Sequence, residues 1–142
     1  MIPAIIISVL FLDQLTKFLA ASFLRLNTPV ILIKHFLNLS LVHNRGAAFG
    51  ILKNQLFVFV VISLLAIALI LYHLKDKKRS LLSSISLSLI LGGAAGNLID
   101  RLRFGFVVDF LDFRVWPVFN IADSAITIGV VLLTWELLCR KN

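Results

Sequence analysis

The chain has 142 residues, of which 60% are apolar and 15% charged, and its formal net charge is +7. A soluble domain is about 45–50% apolar and about 25% charged, so this composition, with a mean hydropathy of +1.02, excludes a water-soluble globular protein and calls for an apolar solvent. In that setting the positive charge reads as attraction to anionic lipid and as a topology signal, with no nucleic-acid partner. Cys139 is the one cysteine and cannot close an internal disulfide, and His35, His43 and His73 show no ligand spacing. No metal or other cofactor is expected.

A bilayer core of about 30 Å needs roughly 20 helical residues. The first such segment runs from about Ile2 to Phe23. No Lys or Arg precedes its apolar run, and Asp13 and Lys17 interrupt it, so it reads as a retained span and not as a cleaved signal peptide. Asp13 and Lys17 lie four apart on one helical face, in the favourable order for an ion pair. The stretch from about 24 to 55 is too long for a turn. Its VILIKHFLNLSLVHN run alternates β-branched and polar residues, predicting short strands, and GAAFGIL predicts a short interfacial helix. The second span, about 56–74, is almost featureless. The third, about 80–99, carries Ser84, Ser88, Gly92 and Gly96 at intervals of four, a small-residue stripe that lets helix backbones approach. The fourth runs over about 121–138. The expected fold is an all-α membrane protein forming a single integral membrane domain over 1–142, with four transmembrane helices and a small extracytoplasmic β-like platform between spans one and two.

Lys and Arg set the topology. The loop Lys75-Asp76-Lys77-Lys78-Arg79 and the tail residues Arg140 and Lys141 belong on the cytoplasmic side, which puts both termini there. Tyr72 and Trp135 then fall at the inner interface and Trp116 at the outer one.

Ionisable residues in a span are costly and mark function by default. Asp13, Asn97, Asp100, Arg101, Asn120 and Asp123 all fall toward the outer side, as do Asn44, Arg45, Asp109 and Asp112 from the connecting segments. The inner half has almost nothing comparable. No cysteine is in reach and the serines of span three have no His or Lys beside them, so carboxylates are the remaining candidates. Two acids close together in a low-dielectric site share a proton. Such a pair hydrolyses a peptide bond, one carboxylate taking a proton from water while the other donates to the carbonyl oxygen. Asp100, Asp109, Asp112 and Asp123 are the candidates, and physics alone does not choose among them. Asp112, three residues from Asp109, would share its face on a helical turn. The rival class is a small polytopic transporter or proton-conducting protein. That class needs polar groups at several depths and often an internal repeat, and neither is visible. A structural assembly subunit is the third reading.

The motifs resemble those of the bacterial lipoprotein signal peptidase (signal peptidase II) family of intramembrane aspartic proteases. The matching pieces are Asp13-Gln14-Leu15-Thr16-Lys17, Asn44-Arg45-Gly46-Ala47-Ala48-Phe49-Gly50, Gly93 to Arg101, Val107-Val108-Asp109-Phe110 and Phe119-Asn120-Ile121-Ala122-Asp123, in family order over positions 13 to 123. The resemblance implies that Asp109 and Asp123 are the catalytic dyad. It implies that Asn44, Arg45, Gly46, Asn97, Arg101 and Asn120 support the site or bind substrate. Asp13, Lys17 and Asp100 match positions with an architectural role, Asp100 being held ionised by its neighbour Arg101. The implied substrates are diacylglyceryl-prolipoproteins, cut on the N-terminal side of the lipidated cysteine. The implied setting is the bacterial inner membrane, with the site toward the periplasmic face, membrane lipid as the other partner, and the chain a monomer.

Overall fold

The computed structural model describes residues 1–46, 55–76 and 78–139. Four helices, α1 (Ile2–Phe23), α2 (Leu56–Leu74), α3 (Leu81–Phe104) and α4 (Ile121–Cys139), are each long and apolar enough to cross a membrane. Pro3 sits in the first turn of α1, where its missing N–H is no loss. In α2 the buried residue is Ile70, which fits a helix whose surroundings are lipid.

The central helix is α3, packed against α1, α2 and α4. Ser80 caps its start, the hydroxyl accepting from the Ser83 N–H at 2.9 Å, which satisfies an orphan donor of the first turn. Gly105 ends it with φ +76°, its N–H returning to the Arg101 carbonyl, a left-handed cap that a Cβ would disfavour. Between these caps the helix runs past Ile99 to Phe104 and carries Asp100, Arg101 and Arg103 on its last turns. The glycines of α3 set its approach to both neighbours. A Cβ at Gly92 would lie 2.9 Å from the Cβ of Val9 in α1. One at Gly96 would run into the Asp13 carboxylate, and one at Gly93 into the Ala122 carbonyl of α4.

Beside the helices lies an antiparallel sheet of β1 (Val30–Ile33), β2 (Leu37–Asn44) and β3 (Val107–Asp112), in that order. The short strands expected from the 24–55 stretch are present as β1 and β2. The third comes from the connection between α3 and α4, where no strand was expected. Val42 faces Asp109 and Asn44 faces Val107 across the β2–β3 ladder, with a register shift between Leu39 and Val42. Leu41, Val108 and Phe110 pack with Ala20 of α1 and join the sheet to the bundle. The expected interfacial helix in GAAFGIL falls, beyond Gly46, outside the described residues.

Candidate functional site

Asp109 is 1% exposed in β3. Its neighbour Val108 points to the other face of the sheet, as strand alternation requires. Asp109 Oδ1 accepts from Asn120 Nδ2 at 2.7 Å and its Oδ2 from Asn44 Nδ2 at 2.9 Å. Asn44 is held in turn, its Oδ1 accepting the Gly46 N–H at 2.9 Å, so the amide NH₂ is left to face the acid. Burial, and next the Asp123 carboxylate, push the Asp109 carboxyl from 3.8 up to about 7, against the Asn44 and Asn120 donors and the charge of Lys17.

Asp123 sits in the first turn of α4. Asn120 precedes that helix, its Oδ1 accepting the Asp123 N–H at 2.9 Å while its own N–H reaches Asp123 Oδ2 at 3.4 Å. This reciprocal pair is a capping box. It turns the Asn120 NH₂ toward Asp109, so one side chain links both acids. Asp123 Oδ1 accepts from Asn97 Nδ2 of α3 at 2.8 Å.

Behind the two acids lies a second layer. Lys17 Nζ is 2.8 Å from Asp13 Oδ2, 3.0 Å from Asp100 Oδ2 and 2.9 Å from Asn97 Oδ1. Asp100 thus pairs with Lys17, where Arg101 was the expected partner. Successive helical residues point about 100° apart, which carries Arg101 away from its neighbour. The Arg101 guanidinium lies 5.1 Å from the centroid of the Phe59 ring of α2. Gln14, part of the Asp13–Lys17 motif but assigned no role above, joins the layer, Nε2 donating to Asp100 Oδ1 at 3.0 Å and Asp13 Oδ2 at 3.2 Å. Its signal was its place on the helical turn between Asp13 and Lys17.

A cleft of about 310 Å³ opens onto the two acids, lined among others by Asn44, Gly46, Phe59, Asn97, Arg101, Trp116 and Phe119. Arg45 is exposed and does not line it. Neither does Asp112, whose Oδ2 accepts from Ser40 Oγ at 2.9 Å and Oδ1 from the Arg114 N–H at 2.8 Å. The segment is a strand and not a helical turn, so residues three apart point to opposite faces. A second cavity of about 200 Å³ lies on the Val108 face, beside Lys17 and His43. Burial, and next the Arg45 charge, lower the His43 pKa below its usual range. Among the described residues no three His, Cys, Asp or Glu side chains group to hold a metal ion. The site is a pair of carboxyls lining one cleft with amide donors on each, an arrangement suited to sharing one proton.

The family model described as signal peptidase (SPase) II matches residues 5–139. The lipoprotein signal peptidase of Moorella thermoacetica is 52% identical over 92% of this chain and 87% of its own length. Those of Halothermothrix orenii and Staphylococcus aureus are 45% and 40% identical, each over 94% of this chain and over 92% and 85% of their own lengths. A solved bacterial membrane enzyme superposes with a TM-score of 0.94 at 37% identity, covering 99% of this chain and 89% of that one. A second gives 0.88 at 38% identity, with 96% and 92% covered. The chain belongs to the signal peptidase II family, and is a multi-pass membrane protein.

Proposed function

We propose that Asp109 and Asp123 are the acids with which this membrane peptidase removes signal peptides from prolipoproteins. The observation that carries the reading is that these two carboxyls, from β3 and α4, line one cleft, with Asn120 donating its side-chain amide to the Asp109 carboxyl and its backbone N–H to the Asp123 carboxyl. The pair holds one proton between them. The unprotonated carboxylate draws a proton from water as the oxygen attacks the scissile carbonyl, and the protonated partner donates to the carbonyl oxygen. A tetrahedral diol forms. Its collapse breaks the C–N bond: the acid that took the water proton gives it to the leaving nitrogen, the other carboxylate takes a hydroxyl proton from the diol, and the dyad is again singly protonated. Asn97 and Asn120 hold the carboxyls in place, Asn44 orients Asp109, and Arg101 presents a cation to the charge that develops in the cleft.

The substrate in this reading carries diacylglycerol on its lipobox cysteine and is cut on the N-terminal side of that residue. A lipidated cysteine lies at a membrane surface, the depth at which the ends of α3 and α4 bring the polar groups together. Phe59, Trp116 and Ile126 give the cleft apolar walls. The Lys75–Arg79 loop and the tail cations put both termini in the cytoplasm and the sheet and cleft on the outer side of the inner membrane, with the chain acting as a monomer among its lipids. The test is cleavage by the reconstituted protein of a prolipoprotein with and without the diacylglyceryl group, with product masses measured. Release of a mature chain beginning at the lipidated cysteine, from the modified substrate alone, is the expected result. Equal cleavage of the unmodified precursor, or a cut elsewhere, would refute the substrate reading.

A further inference from the structure

The ammonium of Lys17, buried on α1, has three hydrogens and meets three acceptors: Asp13 Oδ2, Asp100 Oδ2 and Asn97 Oδ1. Each acceptor passes the connection on. Asp13 Oδ1 accepts the Ala122 N–H at 2.9 Å, and Ala122 immediately precedes Asp123. Asp100 Oδ2 accepts the Val108 N–H at 3.0 Å, and Val108 immediately precedes Asp109. Asn97 Oδ1 is taken by Lys17 and also by Asn120 Nδ2 at 3.2 Å, so its own NH₂ is turned onto Asp123 Oδ1.

We propose that Lys17 is a positioning residue that sets the separation and orientation of Asp109 and Asp123, through two carboxylates that grip the backbone one residue upstream of each acid. The proposal rests on the dyad reading above. An ion pair that merely fixed α1 against α3 needs nothing beyond the contacts of Lys17 with Asp13 and Asp100. It does not account for the second bond each carboxylate makes, to two different elements at the same offset from the two acids. Nor is stability a sufficient reason for the cluster, since burying charges costs about as much as their attraction returns. Consecutive Cα atoms are about 3.8 Å apart, so a shift at Val108 or Ala122 reaches the neighbouring acid almost undiminished. A misplacement of about 1 Å at reacting groups costs on the order of 10²-fold in rate.

The test is Lys17→Met, folded as judged by its melting transition, assayed for kcat and KM on a diacylglyceryl-prolipoprotein. A companion measurement is the binding of a lipopeptide mimic with a secondary alcohol in place of the scissile carbonyl, which depends on dyad geometry in a way that ground-state substrate does not. The expected result is kcat lowered by about 10²-fold, KM unchanged, and mimic affinity lowered in parallel with kcat. Wild-type kcat in the folded variant overturns the proposal. If Lys17→Met does not fold, Asp13→Asn and Asp100→Ala decide, since each leaves Lys17 one ion pair: an amide at 13 has one oxygen for the two donors that Asp13 meets with two, and alanine at 100 gives up the Oδ2 that the ammonium and the Val108 N–H share. Lowered kcat at constant KM in both supports the proposal, and wild-type kcat in either overturns it. Asp109→Asn and Asp123→Asn are run alongside. Normal cleavage by those would sink the dyad reading itself, whereas inactive dyad variants beside a fully active Lys17→Met would sink this inference alone.

Discussion

The two halves of α3 both bury polar side chains, and they use them differently. From Leu81 to Leu91, the hydroxyls of Ser84, Ser86 and Ser88 donate to carbonyls four residues back in the same helix, at 2.8, 2.8 and 2.6 Å. From Gly92 to Phe104, Asn97 and Asp100 bond to α1, β3 and α4. A hydroxyl satisfied by its own helix is indifferent to where the neighbouring helices stand. An amide or carboxylate bonded across elements fixes where those elements stand. Burial of polar groups therefore does not by itself mark a site in this bundle, and neither does one cross-element bond, since Ser83 in the first half also donates to Glu136 of α4; the convergence of several such bonds on the two acids does.

Variants in the two halves separate accordingly. Asn120→Ala removes the link between the acids and the α4 cap together, and is expected to lower kcat by about 10²-fold while costing about 1 kcal/mol of stability from the cap, as read by cleavage rates and thermal melts. Gly96→Ala drives a methyl into the Asp13 carboxylate. Overpacking of this kind costs about 1–3 kcal/mol, and a lower melting temperature with a lower kcat is the expected pair of readouts. Ser86→Ala and Ser88→Ala, in the other half, each lose one local hydrogen bond and gain helix propensity, so stability moves by no more than about 1 kcal/mol and cleavage is unchanged. A large loss of activity from either serine variant would break the comparison.

pH sharpens it further. The Asp109 carboxyl is raised from 3.8 to about 7, so the folded protein holds a proton that the unfolded chain releases. The stability this contributes is fully present below about pH 4 and is lost as pH rises through about 7. The parent protein is therefore expected to lose melting temperature between pH 5 and pH 8, and Asp109→Asn to flatten that fall. Cleavage by the parent should decline on the alkaline side of about pH 7 as the shared proton leaves.

Much of this was legible before any coordinates. Hydropathy located four spans, and the spacing of Asp13 and Lys17 foretold their ion pair. The strand β3 was not legible, because VVDFLD lies buried between two long helices and its pairing partner is about 65 residues upstream, beyond any local periodicity. Missing the strand made Asp112 a rival to Asp109, since residues three apart share a face on a helical turn and not on a strand. The partner of Asp100 was misread for a related reason: adjacency in sequence suggested Arg101, while the fold brings in Lys17 from another helix. The inner half was also taken to hold almost no comparable polar groups. Glu136 is buried near the end of α4, at the opposite end of that helix from Asp123, and accepts from Ser83 Oγ at 2.7 Å. A single acid in an apolar run carried no periodic signal to reveal it.

The central claim is that water is activated between Asp109 and Asp123. It is tested most directly by single-turnover cleavage of a diacylglyceryl-prolipoprotein by Asp109→Asn and Asp123→Asn, each with a parent-like melting transition. Both are expected to lose about 10²–10⁴-fold or more in rate, with Asp112→Asn near the parent rate. Parent-like cleavage by either dyad variant, or a loss confined to Asp112→Asn, would contradict the account.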